Sequence, residues 1–280
     1  MALFEQQFLA VVKQIVALYP QSQQAAMQGA LSTMRWPYWD WAAQPPTGTP
    51  TLPTLITDKW VNVTNFTGEQ VTIINPLFRH DFQDPSQMYY QYFVDWPVTL
   101  RYPNSDVAAA SSTNANATRA FDNIRQNLQD QLYQLFSTCS DYLHFSNDDA
   151  GSSSTSCSNS LEGIHNTVHT TSGGPGSSTV SAGHRTYLAT AAFDPIFWLH
   201  HCNVDRLFAL WQSQYPTVYG ASQVQPHDSW TIPGGSTQDA NSNLTPFLSD
   251  TNGNYWTTNK VQQWNTTFHY TYPGTVEAID

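Results

Sequence analysis

The sequence predicts a mainly α-helical fold with long irregular loops and a short β-containing C-terminal tail. Three observations predict it. Apolar residues recur at three and four in separate segments, histidines fall at helical spacing in the second half, and Pro, Thr, Asn and Gly punctuate the stretches between and after them. From Leu3 to Leu18 the stripe is Phe4, Phe8, Val11, Val12, Ile15 and Val16, with Glu5, Gln6, Lys13 and Gln14 between, which is one face of a helix. Pro20 and Pro37 bracket a second helix with Ser22 as N-cap and Arg35 near its end. The run Trp36-Pro-Tyr-Trp-Asp-Trp41 places four large rings in six residues, which need a wall to pack on, so a core or interface role is expected. Residues 44–115 read as irregular excursions with short β-branched pieces such as Val71–Ile74. A third helix is expected to start near Thr118 and carry Phe121, Ile124, Leu128, Leu132, Leu135 and Phe136. A Ser-rich approach at 151–160 leads to helices at about 160–170 and 194–212, and the tail occupies about 215–280. No internal repeat or domain boundary interrupts residues 1–280, which read as a single domain.

Composition excludes several function classes. Ten Lys+Arg stand against 21 Asp+Glu, a net charge of −11, and no segment concentrates the basic residues. A nucleic-acid partner is therefore not expected, because phosphate contacts need a clustered positive footprint. No run of 18 apolar residues exists, so no membrane span is expected. Only 11% of residues are charged, and polarity comes from Ser, Thr, Asn and Gln, which suits a secreted protein. Five N-x-S/T acceptors, at Asn62, Asn65, Asn116, Asn243 and Asn265, agree with a secreted glycoprotein. The start, Met1-Ala-Leu-Phe-Glu-Gln-Gln, has no signal-peptide pattern, so the expectation is that a leader belongs to a longer form. Cys139 and Cys157 flank a Ser- and Asp-rich loop at a separation that suits a disulfide in an oxidising compartment, and Cys202 reads as a buried apolar thiol.

The chemistry concentrates in two segments. Leu161-Glu-Gly-Ile-His165-Asn-Thr-Val-His169 sets two imidazoles at i and i+4 on one helix face, close enough to grip one metal. Asn166 follows His165 where a zinc protease needs a glutamate base, so that class is excluded. In Phe193-Asp-Pro-Ile-Phe-Trp-Leu-His200-His201-Cys-Asn-Val-Asp205-Arg206, Pro195 fits a first helical turn with Asp194 near its N-cap. Phe197 and Asp205 then flank His201 by one turn on each side, as a dry wall and a carboxylate partner. Three neutral imidazoles in an apolar helical cage suit copper, zinc, nickel or iron(II). Satisfied core histidines are the alternative reading of the same residues.

The string His165-Asn-x-x-His169 followed by Ala192-Phe-Asp-Pro-Ile-Phe-Trp-Leu-His-His-Cys-Asn-Val-Asp-Arg206 resembles the copper-B half of fungal tyrosinases and related polyphenol oxidases. Arg35-Trp-Pro-Tyr-Trp-Asp-Trp-Ala42, Asn75-Pro-Leu77, Leu244-Thr-Pro-Phe247 and Tyr270-Thr-Tyr272 are similar to that family in the same order, nearly end to end. The resemblance implies the four-helix-bundle core of type-3 copper proteins. It also implies a copper site of His165, His169 and His201, with His200 a neighbour and not a ligand. It further implies that Glu162 holds an ordered water, that Asn166 helps deprotonate a phenol, and that Gly183 and His184 lie in a loop near the pocket mouth. Glu162 reads equally as a first-turn carboxylate favoured by the helix dipole.

Family members use two coppers, each held by three histidines, to oxidise phenols or catechols to o-quinones with dioxygen. Their copper-A ligands precede a segment resembling the Met1-Ala-Leu-Phe-Glu-Gln6 start, so at most one copper is expected from the ligands present, with the first copper-A helix missing. His80, His144, His184, His227 and His269 show no helical pairing that would rebuild a second site. Oxidase activity is thus expected to be impaired in this chain alone. Exposed apolar surface is expected as well, with oligomerisation through it. A mononuclear three-histidine protein without oxidase activity is the alternative function, and a non-catalytic scaffold with core histidines a third.

Overall fold

A computed structural model describes residues 1–88, 95–148 and 157–275. Its helices are α1 (Ala2–Val16), α2 (Gln21–Thr33), α3 (Thr54–Thr57), α4 (Asn114–Thr138), α5 (Tyr142–Ser146), α6 (Leu161–Gly173), α7 (Ile196–Gln214), α8 (Thr258–Val261) and α9 (Trp264–Phe268). Three two-stranded antiparallel sheets accompany them: β1 (Trp60–Thr64) with β2 (Gln70–Ile74), β3 (Gln223–Val224) with β4 (Thr237–Gln238), and β5 (Asn243–Leu248) with β6 (Tyr255–Thr257). The fold is mainly helical with little sheet, as the periodicity requires. The Ser-rich approach expected at 151–160 lies outside the described residues as far as residue 156. Among the described residues no helix is long and apolar enough to cross a membrane.

Two expectations shift. Ser22 is not the cap of α2; the helix begins at Gln21 behind Pro20, with no side-chain cap. Pro20 holds φ at −52°, and its carbonyl accepts the Gln23 and Gln24 N–H groups, so the backbone enters the helix before Ser22 can cap it. α4 starts four residues before Thr118, because the Thr113 carbonyl accepts the N–H groups of Asn116 and Ala117 and closes the first turn. Exposed apolar surface is present as expected: on α1 Val16 is buried, while Val11 and Ile15, and Leu18 just after the helix, are exposed.

The chain divides into two compact units. The first comprises residues 1–129 and 165–205. Its core includes Trp39, Trp41, Leu52, Ile56, Phe121 and Leu128, and the aromatic run takes the core role expected of it. Trp39 donates its indole N–H to the Thr51 carbonyl at 2.9 Å and meets Phe121 edge-on at 4.8 Å. Trp36 packs edge-on against Phe4 and Phe8 of α1. A satellite cluster of Trp96, Val98 and Leu100 packs against Met88, Ala110 and Tyr187.

The second unit comprises residues 130–164 and 206–280. Trp211 is fully buried, stacks on Phe145 at 4.3 Å and donates its indole N–H to the Cys139 carbonyl. Burying rings of this size contributes roughly 1.5–3 kcal/mol each. Cys139 and Cys157 form the expected disulfide, and Cys202 in the first unit is buried and outside any disulfide.

Candidate metal centre

Two helices bring the histidines together, and each is started by specific chemistry. Ser160 Oγ accepts the Gly163 N–H at 2.9 Å and so caps the start of α6. Leu161, Ile164 and Val168 are buried along α6, which turns the His165–His169 stripe inward. The helix ends where Gly174 adopts φ +89° and its N–H bonds the Thr170 carbonyl. For α7, Asp194 Oδ1 accepts the Ile196 N–H at 3.2 Å, as the Asp-Pro signal implies. Asp194 also forms a buried, two-pronged ion pair with Arg101, whose Nε–Oδ2 distance is 2.7 Å. Arg101 further donates to the Ile56 and Leu77 carbonyls, so the start of α7 is clamped to α3 and to the loops that carry Leu77 and Arg101.

The three predicted ligands converge. His165 Nε2 lies 3.2 Å from His201 Nε2, and His169 Nε2 lies 3.1 Å from the same atom. His169 Nδ1 is 3.0 Å from the Arg185 carbonyl, which can only accept, so Nδ1 carries the hydrogen and Nε2 offers its lone pair to the cluster. One proton on His201 Nε2 cannot point along both short lines at once, whereas a cation bonded to all three nitrogens can. Nitrogens 3.1–3.2 Å apart are also what ligands about 2.0 Å from a shared ion give. The donor set therefore fits a metal and is a poor set of mutually satisfied core histidines.

Surroundings keep the His169 and His201 rings neutral. Burial pushes the His169 imidazole down to about 3, with Arg185 and His165 adding to the effect and the Arg185 carbonyl opposing it. Burial likewise holds His201 down to about 2, reinforced by His165, His169 and Arg185. Neutral imidazoles bind a metal without first losing a proton. Phe197 stacks on His201 at 3.8 Å and supplies the dry wall expected of it.

His200 is wholly buried, stacks on His165 at 5.0 Å, and has no hydrogen-bond partner at either ring nitrogen. It belongs to a four-histidine group with His165, His169 and His201 whose ligand atoms all lie within 4.8 Å of one another, the group of this kind found among the described residues. Burial, then Arg185 and the three other histidines, hold its imidazole well below the usual range.

Other predicted residues are placed as follows. Asn166 is half-buried beside His165 on α6, and its carbonyl accepts the Thr170 hydroxyl. Asp205 is half-buried on α7, one turn after His201. Glu162 is exposed in the first turn of α6, in the second unit, and accepts the Asp148 N–H at 2.9 Å. His184, expected in a loop near the pocket mouth, is fully buried; its Nδ1 accepts the Leu100 N–H, and its own N–H donates to the Leu100 carbonyl. A side chain on Gly183 would come within 2.2 Å of that same carbonyl, so only glycine fits.

Sequence reasoning missed Arg185. Its fully buried guanidinium donates to Ser172 Oγ and lies 5.4 Å from the Phe197 ring, while its carbonyl fixes His169. Burial pushes its pKa down to about 9, with Asp194 opposing and Arg101 adding to the fall. No periodicity marks it; adjacency to His184 was the sole clue.

The family model described as the common central domain of tyrosinase matches residues 1–214. The chain belongs to the tyrosinase family. The tyrosinase of Podospora anserina is 31% identical over 283 residues, covering 99% of this chain and 48% of the relative. This tyrosinase-family chain thus spans about half the length of that curated relative. A crystal structure containing latent and active mushroom tyrosinase superposes with a TM-score of 0.79 at 29% identity, covering 93% of this chain and 65% of that one. A copper-bound mutant of Aspergillus oryzae active tyrosinase gives 0.73 at 25% identity, covering 96% and 70%. The helical tyrosinase fold is therefore the fold of this chain. The tyrosinase family is a family of copper proteins acting on phenols with dioxygen, and the histidine group here can hold copper.

Proposed function

We propose that this chain is the copper-B part of a tyrosinase- or catechol-oxidase-type oxidoreductase, in which two catechols and one dioxygen yield two o-quinones and two waters. The convergence of His165, His169 and His201 Nε2 atoms carries the reading. Bound copper would supply the dioxygen binding and electron transfer that protein side chains lack. The chain's own residues do the rest. His165, His169 and His201 would hold the ion, the Arg185 carbonyl fixes the His169 tautomer, and Phe197 orients His201 and keeps water from its face. We assign Glu162, which precedes His165 by three residues, to holding an ordered water that takes the phenol proton, and Asn166, whose amide is no base, to hydrogen-bonding that water.

The described residues provide one histidine group. Our reading is accordingly one copper per chain, and little or no turnover by the chain alone. Metal analysis of the purified chain with catechol oxidation on the same sample tests it. One copper, lost in His169→Ala, supports the assignment. Two coppers with turnover would place a second site in residues set aside here. Tight binding of zinc with rejection of copper would select the mononuclear alternative.

We further assign the protein to the secretory pathway. The Cys139–Cys157 disulfide, the five sequons and the scarcity of charge support this. Self-association through Val11 and Ile15 on α1 and Leu18 just after it belongs to the same proposal and is read by sedimentation of wild type against an Ile15→Lys variant.

A further inference from the structure

We propose that Asn62 is an N-glycosylation site whose first sugar packs on the Trp60 ring, a reading that rests on the secretory assignment. Five sequons exist, and the structure separates them. Asn65 is committed to the β1–β2 turn: its Oδ1 accepts the Thr67 and Glu69 N–H groups, and its Nδ2 donates to Glu69. Asn265 is half-buried with its Oδ1 on the Thr266 N–H. Asn116 and Asn243 are exposed, with Asn114 and Asn241 two residues before them.

Asn62 combines three features with an aromatic neighbour on the same face. It is exposed on β1, its Oδ1 is anchored by the Thr72 hydroxyl at 2.7 Å, and its Nδ2, the atom that is glycosylated, is left unengaged. Thr64, the sequon hydroxyl, is exposed on the same face, because side chains alternate along a strand. Trp60 is on that face as well, two residues earlier, paired with Ile74 and 57% exposed, with Lys59 Nζ 5.3 Å from its ring centre. Same-face neighbours on a strand are roughly 6.5–7 Å apart, about the width of a pyranose ring. The electropositive axial C–H groups of an N-acetylglucosamine on Asn62 can therefore meet the electron-rich face of Trp60.

The modification is a group transfer. Asn62 Nδ2 bonds to the anomeric carbon of a polyprenyl-pyrophosphate-linked oligosaccharide, the C–O bond to the pyrophosphate breaks, and the lipid pyrophosphate leaves with the electron pair. Nδ2 gives up one proton and keeps one.

The test directs the full chain through a yeast secretory pathway and maps glycopeptides by mass spectrometry. Expected are a glycan on Asn62 in most chains and loss of at least ten-fold in occupancy in Thr64→Ala. Trimming to a single sugar should leave a melting temperature about 2 °C above that of the fully deglycosylated chain, a gain that vanishes in Trp60→Ala and is partly kept in Trp60→Phe. Asn62 unmodified in secreted protein overturns the proposal, whether or not another sequon is occupied. Occupancy with the same gain in Trp60→Ala overturns the ring contact. Failure of the secretory reading shows separately, as native protein recovered only from inside its own cells.

Discussion

At the scale of single residues, the site is a problem of lone pairs. The Nε2 atoms of His165 and His169 both crowd within 3.2 Å of His201 Nε2, and the His169 ring, its tautomer fixed by the Arg185 carbonyl, offers an acceptor. Removing that ring in His169→Ala should cost more than a hundred-fold in copper affinity by competition titration, because a three-donor site becomes a two-donor one. Phe197→Ala leaves all three donors but frees the His201 ring from its 3.8 Å stack. We expect a 10–100-fold weaker copper affinity, the range typical of groups that orient a ligand; unchanged affinity would mean the stack does not aim His201. Spacing made the i, i+4 pair legible in the sequence. The Arg185 carbonyl was not, since any residue has a carbonyl and only the fold chooses which one faces His169.

Helix α7 depends on what happens before it starts. Asp194 both caps the helix and neutralises Arg101, and the pair is 1–2% exposed. Asp194→Ala should therefore destabilise by about 3–5 kcal/mol, because it strands a buried guanidinium. The double variant with Arg101→Met should recover much of that loss. Urea unfolding midpoints decide it, and a single-variant cost under about 1 kcal/mol would refute the clamp. Asp-Pro announced a helix start in the sequence. That the same carboxylate answers an arginine 93 residues away could not be read there, since nothing local couples the two positions.

For the molecule as a whole, buried neutral histidines set the response to acid. His184 is pushed down to about 4 by burial. The unfolded chain takes up this proton below about 6.5 while the folded one refuses it until about 4. Unfolded protein thus binds more protons in that window, and stability is lost as pH falls from about 6.5 to about 4, by up to about 3 kcal/mol for this group. In the metal-free chain His169 and His201 act in the same direction, and metal binding should deepen the contrast. His184→Asn keeps an acceptor for the Leu100 N–H and should flatten the slope of unfolding free energy between pH 6.5 and 4.5. In the second unit, reducing the Cys139–Cys157 bond, which closes 18 residues of sequence separation, should cost about 3 kcal/mol, measured as the midpoint shift with and without reductant.

Periodicity and local chemistry in the sequence by themselves determined the helical class, the His165–His169 pair, the Phe197–His201 turn and the start of α7. All are interactions within four residues, where helix geometry dictates who meets whom. Tertiary structure alone decided that both helices aim their histidines at one point, that His184 is sealed against Leu100, that Arg101 is buried and answered by Asp194, and that the buried Arg185 turns its carbonyl to His169. These are contacts between segments far apart in the chain, and burial is what makes them consequential. An imidazole or guanidinium in water is indifferent to its neighbours, while the same group in a dry core must find a partner or a metal.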